Sequence, residues 1–264
     1  MTRGFDAAFT CDLEPDCPPF LRDFRGVEQG LPKLLSLLAE LKITATFFTT
    51  GDVARRYSNE VRAVVGAGHE LACHGMTHTA FTSMSRAQAQ GEIVESAAIL
   101  RELAPVTSFR APYLRFPDAY LDLVADADFT LDSSQAKYKR AYYASKRSAV
   151  TSTVTRIPAS LTSSALRIPK LLREAYLRLL DTPVVLFVHP WEFVDLRKEK
   201  IRYDCRFRTG DVALECVGDV LRGMLKRGAV FKTMRELGLA QAKQTALQGR
   251  DSPAIADVKK EIRS

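Results

Sequence analysis

Apolar and polar positions in this chain follow two alternating patterns. Short apolar or β-branched runs, each bounded by an acid, a glycine or a proline, predict strands at 5–11, 44–50, 70–73, 106–109, 129–131, 154–157, 184–188 and 229–232. Apolar residues at helical spacing predict helices at 28–41, 52–65, 86–103 and 212–226, with Asp52 and Ser85 as N-caps. Strands that alternate with helices are typical of a mostly parallel sheet.

The number of strand–helix units distinguishes between sheet architectures. About seven or eight units are predicted, which favours an α/β fold built as a distorted (β/α)7-8 barrel. A Rossmann fold is a poor fit, because no glycine-rich dinucleotide-binding sequence follows the first strand. Bulky apolar residues become scarce after residue 240. We therefore predict one folded domain at 1–239 and a polar, disordered tail at 240–264.

Composition excludes several classes of protein. With 46% hydrophobic residues among 264, the chain has enough apolar surface to fold. It has no apolar run near the roughly 18 residues that a membrane span needs, and no apolar leader typical of secretion. Five cysteines, an odd number in a long chain, do not indicate a disulfide framework. These features predict a protein of the reducing cytoplasm.

Positive charge is concentrated in one segment. The net charge of the chain is +7, yet residues 137–180 contain ten bases and one acid, a net charge of +9. A helix after Pro169 would carry its apolar residues on one face: Leu171, Leu172, Ala175, Tyr176 and Leu179. Such a helix either lies on an anionic membrane or packs its leucines on the protein. The segment thus predicts contact with an anionic substrate or membrane, or only a solvated face.

Ionisable side chains follow the predicted strands. Asp12 and Glu14 end the first strand, and their spacing places both on one side. His74 and His78 follow the third strand, four residues apart, as two ligands on one helical turn would be. Because the carboxyl ends of barrel strands share one face, Glu14 can complete a two-histidine, one-carboxylate metal site.

Two further strand ends carry candidate chemistry. His189 ends the apolar strand at 184–188, and the only tryptophan, Trp191, lies two residues later. This composition favours a functional histidine over a core position. Arg110 ends the strand at 106–109, where an arginine can orient a carboxylate. Asp132, at the end of the next strand, is its predicted partner.

These motifs resemble those of the NodB-homology polysaccharide deacetylases, carbohydrate esterase family four. All five family motifs occur in family order: Thr10-Cys11-Asp12-Leu13-Glu14, His74-Gly75-Met76-Thr77-His78, Arg110-Ala111-Pro112-Tyr113, Asp132-Ser133-Ser134 and Leu186 to His189. One departure is Leu13, which separates two acids that are adjacent in the common family form. The resemblance implies a distorted barrel and metal-dependent hydrolysis of an N-acyl group, most often N-acetyl, on an amino sugar.

The resemblance also implies roles for individual residues. Asp12 resembles the catalytic base, positioned by Arg110, and His189 resembles the catalytic acid. The backbone N–H of Tyr113 resembles a donor to the oxyanion, and Asp132 matches the fourth motif.

One divalent ion is the implied cofactor. Glu14, His74 and His78 resemble its ligands, with Asp16 as a lesser candidate. Zn²⁺ suits this donor set best, and Co²⁺, Mn²⁺, Ni²⁺ or Fe²⁺ would also bind.

Other functions fit parts of the sequence. The segment 24–35 resembles deformylases of lipid-linked amino sugars, and other members of the fold open cyclic amides, as allantoinases do. A silent sugar-binding or membrane-surface barrel would not need Asp12 or His189. Nucleic acid is not an expected partner, because no nucleic-acid-binding motif accompanies the basic segment. The expected substrate is an N-acylated carbohydrate, either anionic or lipid-linked. For a lipid-linked substrate, residues 137–180 would contact the inner face of an anionic membrane.

Overall fold

The computed structural model describes residues 4–145 and 153–250. Its eight strands are β1 (Phe5–Leu13), β2 (Thr46–Thr49), β3 (Glu70–Cys73), β4 (Ser108–Phe109), β5 (Leu131–Asp132), β6 (Thr155–Arg156), β7 (Val184–Val188) and β8 (Ala229–Phe231). Its α-helices, within the same described residues, are α1 (Leu31–Leu41), α2 (Gly51–Arg56), α3 (Ser58–Gly66), α4 (Arg86–Arg101), α5 (Leu121–Asp126), α6 (Arg140–Ser145), α7 (Lys170–Arg178), α8 (Tyr203–Arg206), α9 (Asp211–Lys226) and α10 (Met234–Arg250).

The strands form one parallel sheet that curls. Their order is β6-β5-β4-β3-β2-β1-β7, and β8 pairs with the first residues of β1. Beyond β6, the backbone N–H of Ser160 donates to the carbonyl of Val185 in β7 at 2.8 Å, so the outer edges of the sheet approach each other. The predicted α/β fold, a distorted barrel of parallel strands, is confirmed. All the strand ends that carry candidate chemistry therefore face one rim.

The two faces of β1 have different environments. Phe9, Cys11 and Leu13 pack in the layer between the sheet and the helices. Ala8 lies in the barrel interior, and strand alternation places Thr10 and Asp12 on that same side. The buried acid thus faces the barrel interior, where Thr46 and Ser108 also donate hydrogen bonds to the buried Glu70.

The helix predicted at 52–65 is two helices. Tyr57 interrupts it, and α2 and α3 lie on either side. The N-cap of α2 is Thr50, whose hydroxyl accepts from the Val53 N–H at 3.3 Å, so the prediction of Asp52 as the cap is wrong. Asp52 instead forms an ion pair with Arg56 at 2.7 Å, one turn along. Ser85 caps α4 as predicted, with Gln88 completing a capping box.

Helix α10 continues beyond the domain boundary predicted at residue 239. Its first residues, Met234 and Leu237, fill the barrel interior beside Ala8 and Leu131. The helix runs to Arg250, so residues 240–250 are helical rather than part of a disordered tail. Residues 251–264 lie outside the described chain, and their disorder stays a prediction.

Candidate active site

A buried ion pair lies at the rim end of β1. Arg110 Nη1 donates to Asp12 Oδ1 at 2.6 Å and to Thr10 Oγ1 at 2.8 Å, while its Nη2 donates to Ser133 Oγ at 3.0 Å. The guanidinium is fully buried and lies 4.0 Å from the centre of the Phe48 ring. A buried arginine needs a compensating charge, and Asp12 supplies it. The pairing expected between Asp12 and Arg110 is present.

Asp132 has a different partner from the one predicted. Its Oδ2 accepts from Arg156 Nε at 2.9 Å, and its Oδ1 accepts from the Ser134 N–H at 3.0 Å. Ser134 Oγ in turn accepts from the Ala111 N–H at 2.7 Å. The prediction that Asp132 pairs with Arg110 is therefore wrong. Asp132 fixes the turn that supports the Arg110 motif.

Glu14, His74 and His78 form the group of potential metal ligands. One ligand atom from each lies within 4.8 Å of the others, and all three residues are buried. Glu14 Oε2 lies 2.6 Å from His78 Nε2 and 3.3 Å from His74 Nε2. Two imidazole nitrogens and one carboxylate, with space on one side for other ligands, suit a divalent transition ion.

The surrounding contacts favour metal binding at the three ligands. His74 Nδ1 lies 2.7 Å from the Arg110 carbonyl, which only accepts, so Nδ1 carries a proton and Nε2 is turned toward Glu14. Trp191 Nε1 donates to Glu14 Oε1 at 3.3 Å. The pKa of Glu14 is held well below its usual range: burial acts to raise it, but His78, His189 and His74 outweigh burial. The carboxylate is thus ionised and ready to bind a cation.

The loop that presents the two histidines is not a helical turn. Gly75 and His78 both have positive φ angles, 76° and 58°. The edge of the Tyr113 ring contacts His78, with the ring centres 4.7 Å apart. The histidines converge because this loop reverses, not because they are stacked on a helix.

Asp16, the lesser candidate ligand, lies outside this group. Its Oδ1 accepts from the Gly26 N–H at 2.9 Å, and burial raises its pKa to about 7. A Cβ on Gly26 would lie 2.4 Å from the Trp191 N, so only glycine allows this approach. Asp16 therefore connects the loop after β1 to the short π-helix at Gly26–Gly30. This π-helix packs against the turn after β7.

His189 lines the same cavity beside Glu14 and is held by several contacts. Its Nε2 is 3.7 Å from Glu14 Oε1, and its Nδ1 is 2.8 Å from Glu192 Oε1. The ring stacks on Trp191 with centres 4.7 Å apart. Burial lowers the pKa of His189, yet the Glu14 and Glu192 carboxylates raise it to about 9. The imidazole is therefore oriented and can hold a proton.

Two residues that support His189, Glu192 and Arg167, were not given a role from the sequence. Glu192 holds the His189 ring, and Arg167 Nε pairs with Glu192 Oε2 at 3.0 Å, with both side chains buried. The signal for Glu192 was available: an acid three residues after a strand-ending histidine can accept from that histidine's backbone N–H, here at 3.0 Å. Arg167 lies in another segment, and no local pattern connects it to His189.

The turn after β4 has an unusual backbone. Tyr113 and Leu114 have φ angles of 59° and 49°. Leu114 N–H donates to the Ala111 carbonyl at 3.2 Å, and Lys139 Nζ donates to the carbonyl of Tyr113. Among the described residues, the backbone N–H of Tyr113 has no hydrogen-bond partner. It is available to a ligand oxygen, as the family resemblance implies.

These groups open into one cavity of about 290 Å³. Asp12, the three candidate ligands, Tyr113 and His189 all line it. Its other walls are rich in aromatic side chains: Phe20, Tyr138, Phe187 and Trp191. A concave site with aromatic walls and a few convergent polar groups is typical of small-ligand binding.

Comparison with known proteins gives a match in sequence. Residues 9–131 match the family model described as polysaccharide deacetylase. A peptidoglycan deacetylase of Helicobacter pylori is 30% identical over 110 residues, which are 40% of this chain and 37% of that protein. A chitooligosaccharide deacetylase of Sinorhizobium fredii is 34% identical over 99 residues, 36% of this chain and 46% of that protein. The chain thus spans less than half the length of these curated relatives.

Solved structures share the fold over most of the chain. A Mycobacterium smegmatis protein assigned to the polysaccharide deacetylases has a TM-score of 0.65 and 19% identity, over 93% of each chain. A family 4 carbohydrate esterase from Streptomyces lividans has a TM-score of 0.58 and 18% identity, over 88% of this chain and 93% of that chain. A family-four pseudoenzyme from Bacillus anthracis has a TM-score of 0.62 and 14% identity, over 90% and 66%, so the fold alone does not establish activity. Over residues 9–131, just under half of its length, and in the order of its five motifs, the chain is similar to the polysaccharide deacetylases.

Proposed function

We propose that this protein is a metal-dependent hydrolase that removes an N-acyl group, N-acetyl above all, from an amino sugar. One observation carries the proposal: the Glu14, His74 and His78 cluster lines the same cavity as Asp12 and His189. A candidate cation site thus shares one cavity with a candidate base and a candidate acid. A silent binding barrel would have no need to bury these ionisable groups together.

The base side of the reaction uses Asp12. A divalent ion on Glu14, His74 and His78 would polarise the acyl carbonyl and lower the pKa of a water molecule. Asp12 accepts the proton of the attacking water, and its hydrogen bond to Arg110 keeps the carboxylate oriented. Arg110 acts on Asp12 rather than on substrate, because it is fully buried.

The acid side uses His189. An amine is a poor leaving group, so His189 donates a proton to the departing nitrogen. Glu192 fixes the imidazole through Nδ1 and leaves Nε2 facing the cavity. The unpaired N–H of Tyr113 donates to the oxygen that becomes negative, a contact worth about 2.7–4 kcal/mol in comparable sites.

The proposed substrate is an N-acetylated sugar chain. Aromatic cavity walls suit the apolar faces of sugar rings. The relatives named above are a peptidoglycan and a chitooligosaccharide deacetylase, which indicates N-acetylglucosamine as the first sugar to test. We further propose that the physiological substrate is anionic or lipid-linked, because of the basic segment at 137–180. The five cysteines are all free, which suits the proposed cytoplasmic location.

Acetate release tests the proposed function directly. The purified protein with added Zn²⁺ or Co²⁺ is incubated with N-acetylated chitooligosaccharides and peptidoglycan fragments, and acetate is measured. An N-formyl amino sugar and a cyclic ureide, assayed in parallel, test the deformylase and allantoinase-like alternatives. We expect acetate from at least one sugar substrate. Absence of hydrolysis on the whole panel, with metal bound, would favour the silent barrel.

The Glu192→Gln variant is expected to lower kcat about 10- to 100-fold on an N-acetyl sugar with KM little changed. The reason is that His189 loses the carboxylate that orients it. 4-Nitrophenyl acetate, whose leaving group needs no proton, should be hydrolysed at nearly the normal rate, and His189→Ala should show the same contrast. Glu199→Gln, on the same rim but paired with Arg25, is the control. Equal losses on both substrates would contradict the orienting role.

A further inference from the structure

Helix α7 buries a basic side chain and exposes leucines, whereas an ordinary amphipathic surface helix buries its leucines. Arg173 and Leu177 are its buried residues. Arg173 Nη1 donates to the Leu166 carbonyl at 2.9 Å, and its Nη2 lies 3.6 Å from Asp219 Oδ2. A base of the helix therefore faces the protein, because a carbonyl and an acid are there to bind it.

The other apolar residues of α7 and its C-cap, Leu177 apart, face outward. Leu171, Leu172 and Leu179 are 84%, 64% and 80% exposed. Ala175 and Tyr176 are exposed as well. We call these five residues the α7 face. Several exposed leucines on one helix of a soluble domain mark an interaction surface, since exposure of that much apolar area is unfavourable in water.

The α7 face adjoins the mouth of the active-site cavity. The cavity is lined by Thr162, Ser163 and Ser164, and the short 3₁₀ turn at Ser163–Arg167 precedes the helix in the chain. Tyr138, from a different part of the chain, also lines the cavity. A surface that covers the α7 face would therefore lie near the cavity entrance.

Charge around the α7 face identifies the kind of partner. Lys170 lies at the start of the helix and Arg178 at its end, both exposed. Lys137 donates to the carbonyl of Asp181, just past the helix, at 3.1 Å. The described acids near the helix are Glu174, 3.9 Å from Lys170, Asp181, and Asp219, which pairs with Arg173. Bases beside exposed leucines on a convex helix are typical of binding to an anionic bilayer surface, whereas a second copy would bring like charges together.

We propose that the α7 face docks the protein on an anionic membrane surface, with the leucines inserted among the lipid headgroups and the active-site cavity opening toward the bilayer. Among the described residues, no helix has the length and apolar character to cross a membrane. The docking itself is independent of catalysis. Its consequence, access to a membrane-borne sugar, rests on the proposed hydrolase function.

Vesicle flotation tests the docking. The full chain is mixed with phosphatidylcholine vesicles that contain either no anionic lipid or about 30% phosphatidylglycerol. We expect binding to the anionic vesicles that weakens as salt rises. The combined variant Leu171→Ser, Leu172→Ser and Leu179→Ser is expected to bind at least about tenfold more weakly. The matched control is Leu239→Ser with Leu247→Ser, which changes leucines that are 57% and 61% exposed on α10.

Three outcomes would overturn the proposal. One is wild-type protein that stays unbound to anionic vesicles at low salt, and another is an α7 variant that floats as well as wild type. The third is a wild-type dimer in light scattering that the α7 substitutions convert to a monomer, which would assign the face to a second copy. Circular dichroism melting of each variant confirms folding. Acetate release from a soluble chitooligosaccharide, measured on the same preparations, separates a failure of docking from a failure of the hydrolase function.

Discussion

Chelation is expected to abolish acetate release by this protein, and added Zn²⁺ or Co²⁺ is expected to restore it. The buried carboxylate and two imidazole nitrogens lie close enough together to share one ion. His78→Ala removes one of these ligands. Because changes to groups that merely support a ligand cost about 10- to 100-fold in metal affinity, removal of the ligand itself should cost at least about 100-fold. Isothermal titration with Zn²⁺ and elemental analysis of the protein measure both effects.

The chain supplies a matched control for this experiment. His69 lies at the amino end of β3, on the far side of the sheet from the cluster, where its Nδ1 accepts from the Ala45 N–H at 3.2 Å. His69→Gln should bind about one ion per chain, as wild type does. Full hydrolysis by a metal-free preparation would contradict the proposed mechanism, as would normal Zn²⁺ affinity in His78→Ala.

The second large effect is expected from Asp12→Asn. Loss of the group that accepts the proton should lower kcat by about 10²- to 10⁴-fold. The variant should still bind one ion, because Asp12 is not among the three clustered ligands. It should also be less stable, since the buried Arg110 charge loses its counter-charge, a change that costs up to about 3–5 kcal/mol in buried pairs. Kinetics, metal content and thermal melting measure the three effects separately.

Asp6→Asn is the control for Asp12→Asn. Asp6 lies on the same strand but is part exposed, where it pairs with Lys232 at 2.7 Å. Exposed ion pairs contribute about 0–1 kcal/mol, so this variant should keep its activity and melting temperature. Wild-type kcat in Asp12→Asn would show that another group takes the proton. Loss of metal together with activity would place Asp12 among the ligands.

Much of the site could be predicted because local patterns determine it. The period of two along β1 places Asp12 and Glu14 on one side of the strand in any sheet that buries it. The continuous apolar run at 184–188 predicts a strand buried on both faces, and parallel strands bring their carboxyl ends to one rim. Because β1 and β7 are paired neighbours with Cys11 opposite Val188, Glu14 and His189 come together, and their Oε1 and Nε2 atoms lie 3.7 Å apart.

Partners between distant segments could not be predicted in this way. Asp132 pairs with Arg156 instead of Arg110, although all three lie at or beside strand ends. Glu192 was visible beside His189, but its second partner, Arg167, comes from a separate segment before α7. The curl of the sheet and the paths of the loops decide which of several arginines reaches each acid. Sequence spacing contains no information on those paths.

Helix α7 shows most clearly which features the local sequence pattern determined and which the tertiary structure decided. Its periodicity determined which residues share a face, and that grouping of Leu171, Leu172, Ala175, Tyr176 and Leu179 is present in the structure. Periodicity did not determine which face is buried. The Leu166 carbonyl and Asp219 bind Arg173, so Arg173 turns inward together with Leu177, and Leu171, Leu172 and Leu179 turn to solvent. The sequence by itself determined the chemistry at the strand ends and the composition of each face. Only the tertiary structure decided which groups meet, because a buried charge takes whichever partner the fold brings within reach.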